Sequence, residues 1–264
     1  MKKLLLGSMA LAAMIAGPAM AADMPVKAPP PVVSYYDWSG AYLGASIGWI
    51  RSSYDWAYTN PAPATCCQPF SGSVNDTVAD IHAGAQVQWG WLVLGVEAAA
   101  NGIYQAARVT QVGCVAPNSL TTACQIQPRD IRTVGGRLGF AWQQWMIYGT
   151  GGGAWSSVRT NLFAPGANAP PFINAGNFDN TTANYNGWYA GGGFEYVIHK
   201  GSLVDVIVGA EYQHIDLGSQ IHLSPLDNWN VCPPGVNCRR VSAKEDIVRA
   251  RLSIKTQGWR FIAP

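Results

Sequence analysis

Charge is scarce in this 264-residue chain: Asp, Glu, Lys and Arg make up 12% of it, against 48% hydrophobic residues. A nucleic-acid binder would carry a basic face, and a formal net charge of +2 gives it none. Long apolar runs are missing too. After residue 21 no stretch reaches the ~18 consecutive apolar residues of a membrane helix. There is no Cys-x-x-Cys pair and no His-Glu-x-x-His, and no Gly-Lys-Ser/Thr follows the glycine runs 151–153 and 191–193. The common zinc and phosphate-loop signatures are thereby excluded.

What is present begins with Lys2 and Lys3, an apolar run from Leu4 to Ala16, and Ala19-Met20-Ala21. This charged, apolar and small-residue order is that of a secretory signal peptide, with cleavage expected after Ala21. An N-terminal membrane anchor would need roughly 20 apolar residues, and Gly17-Pro18 ends this run early. Removing residues 1–21 leaves 15 basic and 15 acidic residues, a formally neutral chain. Residues 22–37, with prolines 25, 29, 30 and 31, read as a proline-rich periplasmic leader, a tether rather than a strand. The rest, 38–264, reads as one outer-membrane barrel domain, because a greasy, exported and helix-poor chain can cross a membrane only as a closed barrel.

From Gly40 the hydrophobic period is two. Leu43, Ala45, Ile47 and Trp49 share one face, with Gly44, Ser46 and Gly48 on the other. Ile81, Ala83, Ala85, Val87 and Trp89 likewise oppose His82, Gly84, Gln86 and Gln88. Further candidate strands span 92–100, 131–142, 145–155, 188–198, 203–217 and 247–256, which makes eight. Short connections at Gly90, Gln143-Gln144 and His199-Lys200-Gly201 alternate with long ones near 52–76, 101–129, 157–184 and 218–245. That asymmetry predicts an all-β fold: an eight-stranded antiparallel up-and-down transmembrane barrel with short periplasmic turns and four long extracellular loops. Trp89, Trp91, Trp142 and Trp145 gather at the short turns, and Trp49, Trp155 and Trp188 at the opposite ends, as two interfacial belts require.

The segment LVLGVEAAA, 92–100, places the carboxylate of Glu97 in an apolar run. An unpaired buried charge costs several kcal/mol. If Leu92, Leu94, Val96 and Ala98 face lipid, Glu97 faces the lumen. The same parity turns Glu195, Glu211, Arg137, Arg249 and Arg251 inward, and the six are expected to form a lumenal charge network with guanidiniums bridging carboxylates.

The segments YDWSGAYLGASIGW, VLGVEA, VGGRLGFAW, YGTGGGAW, GWYAGGGFEY, VGAEYQHIDLG and IVRARLSI, in this order, resemble the strand motifs of the OmpA-like outer-membrane β-barrel proteins. The resemblance is specifically to the small alphaproteobacterial surface-antigen group, labelled outer-membrane immunogenic protein or porin family. It covers nearly the whole mature chain and implies a Gram-negative outer-membrane location, envelope support and host contact. Its partners would be outer-membrane lipid and lipopolysaccharide, and the barrel-assembly machinery during biogenesis. The tail Gln257 to Pro264 departs from the group, whose chains end on a strand with a final aromatic residue.

Six cysteines, Cys66, Cys67, Cys114, Cys124, Cys232 and Cys238, fall in the long connections. An oxidising periplasm makes disulfides the expected state; Cys114 with Cys124 and Cys232 with Cys238 are the local pairings among 15 possible connectivities. His222 with Ser224 is the one close pair that suggests nucleophilic catalysis, and no acid is evident to orient it. The glycine runs suit crowded, curved strands. The reading that results is a monomeric structural and surface-exposed barrel with no catalytic residue, cofactor or metal. A small-solute pore and, third, a lipid-modifying enzyme are the alternatives. Eight strands enclose a lumen that side chains fill.

Overall fold

The computed structural model describes residues 36–58, 70–104, 109–112, 123–163, 177–222 and 239–257. Its strands are β1 Gly40–Tyr58, β2 Phe70–Trp89, β3 Leu92–Tyr104, β4 Val109–Val112, β5 Ala123–Trp142, β6 Trp145–Phe163, β7 Asn177–Lys200, β8 Val204–His222 and β9 Arg239–Thr256. Eight of them close an antiparallel ring in the order β1-β2-β3-β5-β6-β7-β8-β9, with β9 paired back onto β1. The ninth, β4, pairs with β5 above the last β3 pairing, from Val109↔Ile126 to Val112↔Ala123. Gly90 (φ 60°) and Gln143 (φ 53°) supply the left-handed residues of two tight turns.

Every ring strand except β3 holds 18 to 24 residues, about twice the 9–11 that a membrane crossing needs. Residues 52–58, 70–76, 123–129, 157–163, 177–184, 218–222 and 239–245, expected within long connections, are strand. The cause is visible on β1. From Leu43 to Trp49 the apolar side chains face outward, Ile47 61% and Trp49 73% exposed. From Ile50 they face inward, with Tyr54 and Trp56 buried, while Arg51 and Asp55 face out. The period of two continues and its hydrophobic phase inverts, because water rather than lipid now surrounds the wall.

The lipid-facing band carries Leu43, Ile47, Leu138, Phe140, Ile147 and Leu252, all exposed. Trp89, Trp91, Trp142 and Trp145 ring its periplasmic edge, and Trp49, Trp155 and Trp188 its outer edge, all exposed. Aromatic girdles at both interfaces and an apolar wall between them make this a transmembrane barrel.

Inside, the lumen is filled in three tiers. At the periplasmic mouth Trp38 is completely buried and packs with Tyr36, Val93, Met146, Val197 and Ile207. Gln88 and Gln86 grip it: the Trp38 N–H donates to Gln88 Oε1 (2.7 Å) and Gln86 Nε2 donates to the Trp38 carbonyl (2.8 Å). The Tyr36 hydroxyl donates to Asp205, and Lys255 Nζ to the carbonyls of Asp37 and Ser39. Residues 36 and 37, expected in the leader, therefore pack against lumenal side chains of the barrel. The middle tier is charged. The outer tier is apolar again, with Ile50, Tyr54, Trp56, Tyr185, Ile215 and Ile247 in one cluster.

The lumenal charge network as candidate functional site

Side-chain parity carries the middle tier. Glu97 on β3, Arg137 on β5, Glu195 on β7, Glu211 on β8, and Arg249 and Arg251 on β9 all point inward and are 2–6% exposed. Register then brings them together, since Glu211 lies opposite Arg249 and Gly95 opposite Arg137. Arg251 is the hub: its Nη1 donates to Glu97 Oε1 (2.9 Å) and to Glu211 Oε2 (2.6 Å), its Nη2 donates to Glu97 Oε2, and its Nε lies 3.5 Å from Glu195. Arg137 stands 2.7 Å from Glu195 and 3.7 Å from Glu97, with its guanidinium 3.6 Å from the centroid of the Tyr148 ring. Arg249 forks onto Glu211 through Nε and Nη2 and reaches Asp80 through Nη1 (2.6 Å). Two tyrosines complete the acceptors' shells: Tyr42 donates to Glu97 (2.8 Å) and Tyr148 to Glu211 (2.7 Å).

Asp80 and His82 on β2 belong to this tier although sequence reasoning did not assign them to it. Four carboxylates face three guanidiniums, and the His82 ring lies 3.4 Å from Asp80. The available signal was parity, for Asp80 and His82 continue the polar face that Gly84 and Gln86 begin. Inward glycines provide the room. A Cβ at Gly84 would meet the Tyr42 ring at 2.4 Å, and one at Gly193 would meet the Tyr148 hydroxyl at 2.8 Å. The glycine runs are thus spacing devices within strands, and no helix follows them.

Two arrangements resemble catalytic hardware. His82 Nε2 lies 2.8 Å from Ser253 Oγ and its Nδ1 3.4 Å from Asp80, a Ser-His-Asp order in space. All three side chains are buried mid-lumen, and Asp80 is also held by Arg249 and Ser46, so no acyl substrate can approach the hydroxyl. His222, expected in the fourth loop, is the last residue of β8 and points inward. Thr160 Oγ1 contacts its Nδ1 (3.0 Å) and the Tyr185 hydroxyl its Nε2 (2.9 Å), so both nitrogens are partnered by buried hydroxyl groups. Burial lowers this imidazole, beyond the outer girdle, to about 4. Ser224 lies outside the described residues.

Among the described residues, no three His, Cys, Asp or Glu side chains gather as metal ligands. Cys124, expected in a loop, is on β5 opposite Gln111 and Leu162, where the strand outruns the membrane. Cys66, Cys67, Cys114, Cys232 and Cys238, residues 1–35, which include the expected signal peptide and most of the expected leader, and the tail 258–264 lie outside the described residues.

Residues 9–234 match the family model described as outer membrane protein beta-barrel domain. The chain is 30% identical over 234 residues to the 31 kDa outer-membrane immunogenic proteins of Brucella melitensis and Brucella suis, covering 86% of this chain and 92% of each relative. Among solved structures it is similar to the outer membrane protein OprG of Pseudomonas aeruginosa (13% identity, TM-score 0.39, 81% of this chain and 96% of that one). It is also similar to Ail of Yersinia pestis (10% identity, TM-score 0.34, 81% and 99%).

Proposed function

This chain belongs to the outer membrane β-barrel protein family, and from that premise we propose that it acts in the Gram-negative outer membrane as a closed structural barrel that displays its outer loops to the environment or host. The observation that carries the reading is the filled lumen. A charged tier in which each arginine meets at least two carboxylates lies between two apolar tiers, and the periplasmic one is corked by the fully buried Trp38. A conducting pathway would have to break buried ion pairs and displace packed aromatics at two further levels, each step costing several kcal/mol. That weighs against the small-solute pore. The burial of Ser253, His82 and His222 weighs against the lipid-modifying enzyme. Immunogenicity in the name of the Brucella relatives fits a surface-displayed protein.

The test is conductance. Purified barrel in planar bilayers is expected to show little or no steady current, and a deletion strain is expected to show an envelope defect with unchanged uptake of small solutes. Large, long-lived open events from the purified protein, matched by slower uptake in the deletion strain, would establish the pore instead.

A further inference from the structure

The lipid-facing wall is not uniform. Where β1, β2, β3 and β5 run side by side, register sets Leu43, Ala83, Ala98 and Val134 in one row and Ala45, Ile81, Ala100 and Arg132 in the next. The alanines form the floor of an open recess of about 310 Å³, with Leu43, Ile81 and Val134 as its sides and Arg132 at one end. On the following rungs of the same β2–β3 seam lies a second recess of about 300 Å³, lined by Ala85, Val87, Leu94 and Val96. Phe140, Ile147 and Leu252 stand out from the wall elsewhere. An elongated apolar trough in a membrane wall fits a hydrocarbon chain.

Height identifies the leaflet. Arg132 pairs with Trp155 of the outer girdle, so its guanidinium stands at the outer headgroup level. It is 69% exposed and faces out of the barrel. Asp130 Oδ2 holds it at 2.9 Å, and Asp130 is itself pinned by the Ser157 N–H on β6 (3.1 Å). The guanidinium is thereby oriented in advance, and with five donors it can add a second anion without releasing the first. Arg129 is exposed on the same strand, so two cations accompany the single carboxylate.

We propose that this wall binds a phosphorylated, multiply acylated glycolipid of the outer leaflet, lipopolysaccharide, with a phosphate on Arg132 and an acyl chain in the alanine-floored trough below it. Guanidinium and phosphate match as charge and as fork geometry. The trough starts where such a lipid's chains leave its headgroup. An inner-leaflet phospholipid would place its phosphate at the opposite girdle, on the far side of the hydrocarbon from Arg132.

Native mass spectrometry of the folded full chain in nonionic detergent, titrated with bis-phosphorylated lipid A, tests this. Wild type is expected to retain one lipid A. Arg132→Gln should weaken retention roughly tenfold, the loss of one charge-assisted pair, and lipid A stripped of its phosphates should bind wild type as weakly. Ala98→Leu fills the trough from a lipid-exposed position and should weaken retention severalfold with Arg132 intact. Phe194→Ala, across the barrel on β7, should leave it unchanged, and heat-modifiable gel mobility verifies that each variant is folded. Equal retention by wild type, Arg132→Gln and Ala98→Leu overturns the site. Phosphatidylglycerol held as tightly as lipid A overturns the assignment to lipopolysaccharide.

Discussion

Truncating Glu97 to alanine removes the acceptor of three hydrogen bonds, two from Arg251 and one from the Tyr42 hydroxyl, and takes a carboxylate from 3.7 Å beside Arg137. Stranding one partner of a buried pair costs about 3–5 kcal/mol. Here Arg251 retains Glu211 at 2.6 Å and Glu195 at 3.5 Å, and Arg137 retains Glu195 at 2.7 Å. The lower end, about 3 kcal/mol, is therefore expected for Glu97→Ala. That is a large part of the ~5–15 kcal/mol by which folded domains are stable. Leu94→Ala, three residues away on the lipid side, breaks no polar contact and should cost about 1 kcal/mol. Urea unfolding of both variants in the same detergent or vesicle system measures the difference. Replacing Arg251 by methionine in the Glu97→Ala background should recover less than the full loss, because Glu195 and Glu211 then lose their shared cation. A Glu97→Ala barrel that unfolds within about 0.5 kcal/mol of wild type would refute the view that these pairs hold the lumen together.

Glu245 lies three residues beyond Val248, the partner of Trp49, and so outside the hydrocarbon layer, fully buried beside Ser52 with the Tyr54 hydroxyl at 3.0 Å. Burial, with the Asp246 charge adding to it, pushes its carboxyl up to about 8 from an ordinary 4.5. Its folded value is raised, so its contribution is complete below pH 4.5 and is lost as pH climbs toward 8; Glu245→Gln should flatten that decline and stabilise the barrel at pH 8, read from unfolding midpoints across the window. Parallel curves for wild type and Glu245→Gln would contradict the assignment. Trp38→Ala empties the periplasmic cork and should cost about 3–5 kcal/mol while leaving the strand register intact, checked by unfolding and circular dichroism. Purified protein, denatured without reductant, should yield no free thiols from its six cysteines; six titratable thiols would remove the disulfides.

The membrane half of the wall was legible because lipid outside and polar groups inside give alternation a single phase. Parity alone turned Glu97, Glu195 and the three arginines of the middle tier inward. The outer half was not legible. In Ser52-Ser53-Tyr54-Asp55-Trp56 the same period has its apolar members inside, and a search for outward apolar residues meets only Ser53 and Asp55. Glu245, His222 and Cys124 read as loop residues for that reason, although they lie on β9, β8 and β5. Asp80 lay next to a shift in the β2–β3 register between Ala79 and Asp80, just beyond the expected start of its strand. The pairing of residues from distant strands, such as Asp80 with Arg249, depends on how the ring closes, which no local pattern records.

The inversion of hydrophobic phase at the outer girdle also fixes how the barrel rides in its membrane. From Arg132 to Trp142 β5 advances ten residues, about 25 Å of height at the ~3.3 Å rise and ~40° tilt usual for such strands. One rung higher the wall presents Arg51 and Asp246, and on the next rung Lys244; one rung lower come the tight turns. Neither edge can be drawn into hydrocarbon cheaply, and a closed hydrogen-bonded ring cannot lean or kink as a lone helix does. A bilayer of different thickness must therefore bend to meet the girdles, and the elastic strain lies in the lipid. Two such barrels side by side share one deformed annulus instead of maintaining two, so thickness mismatch alone draws them together in the plane of the membrane without any protein contact.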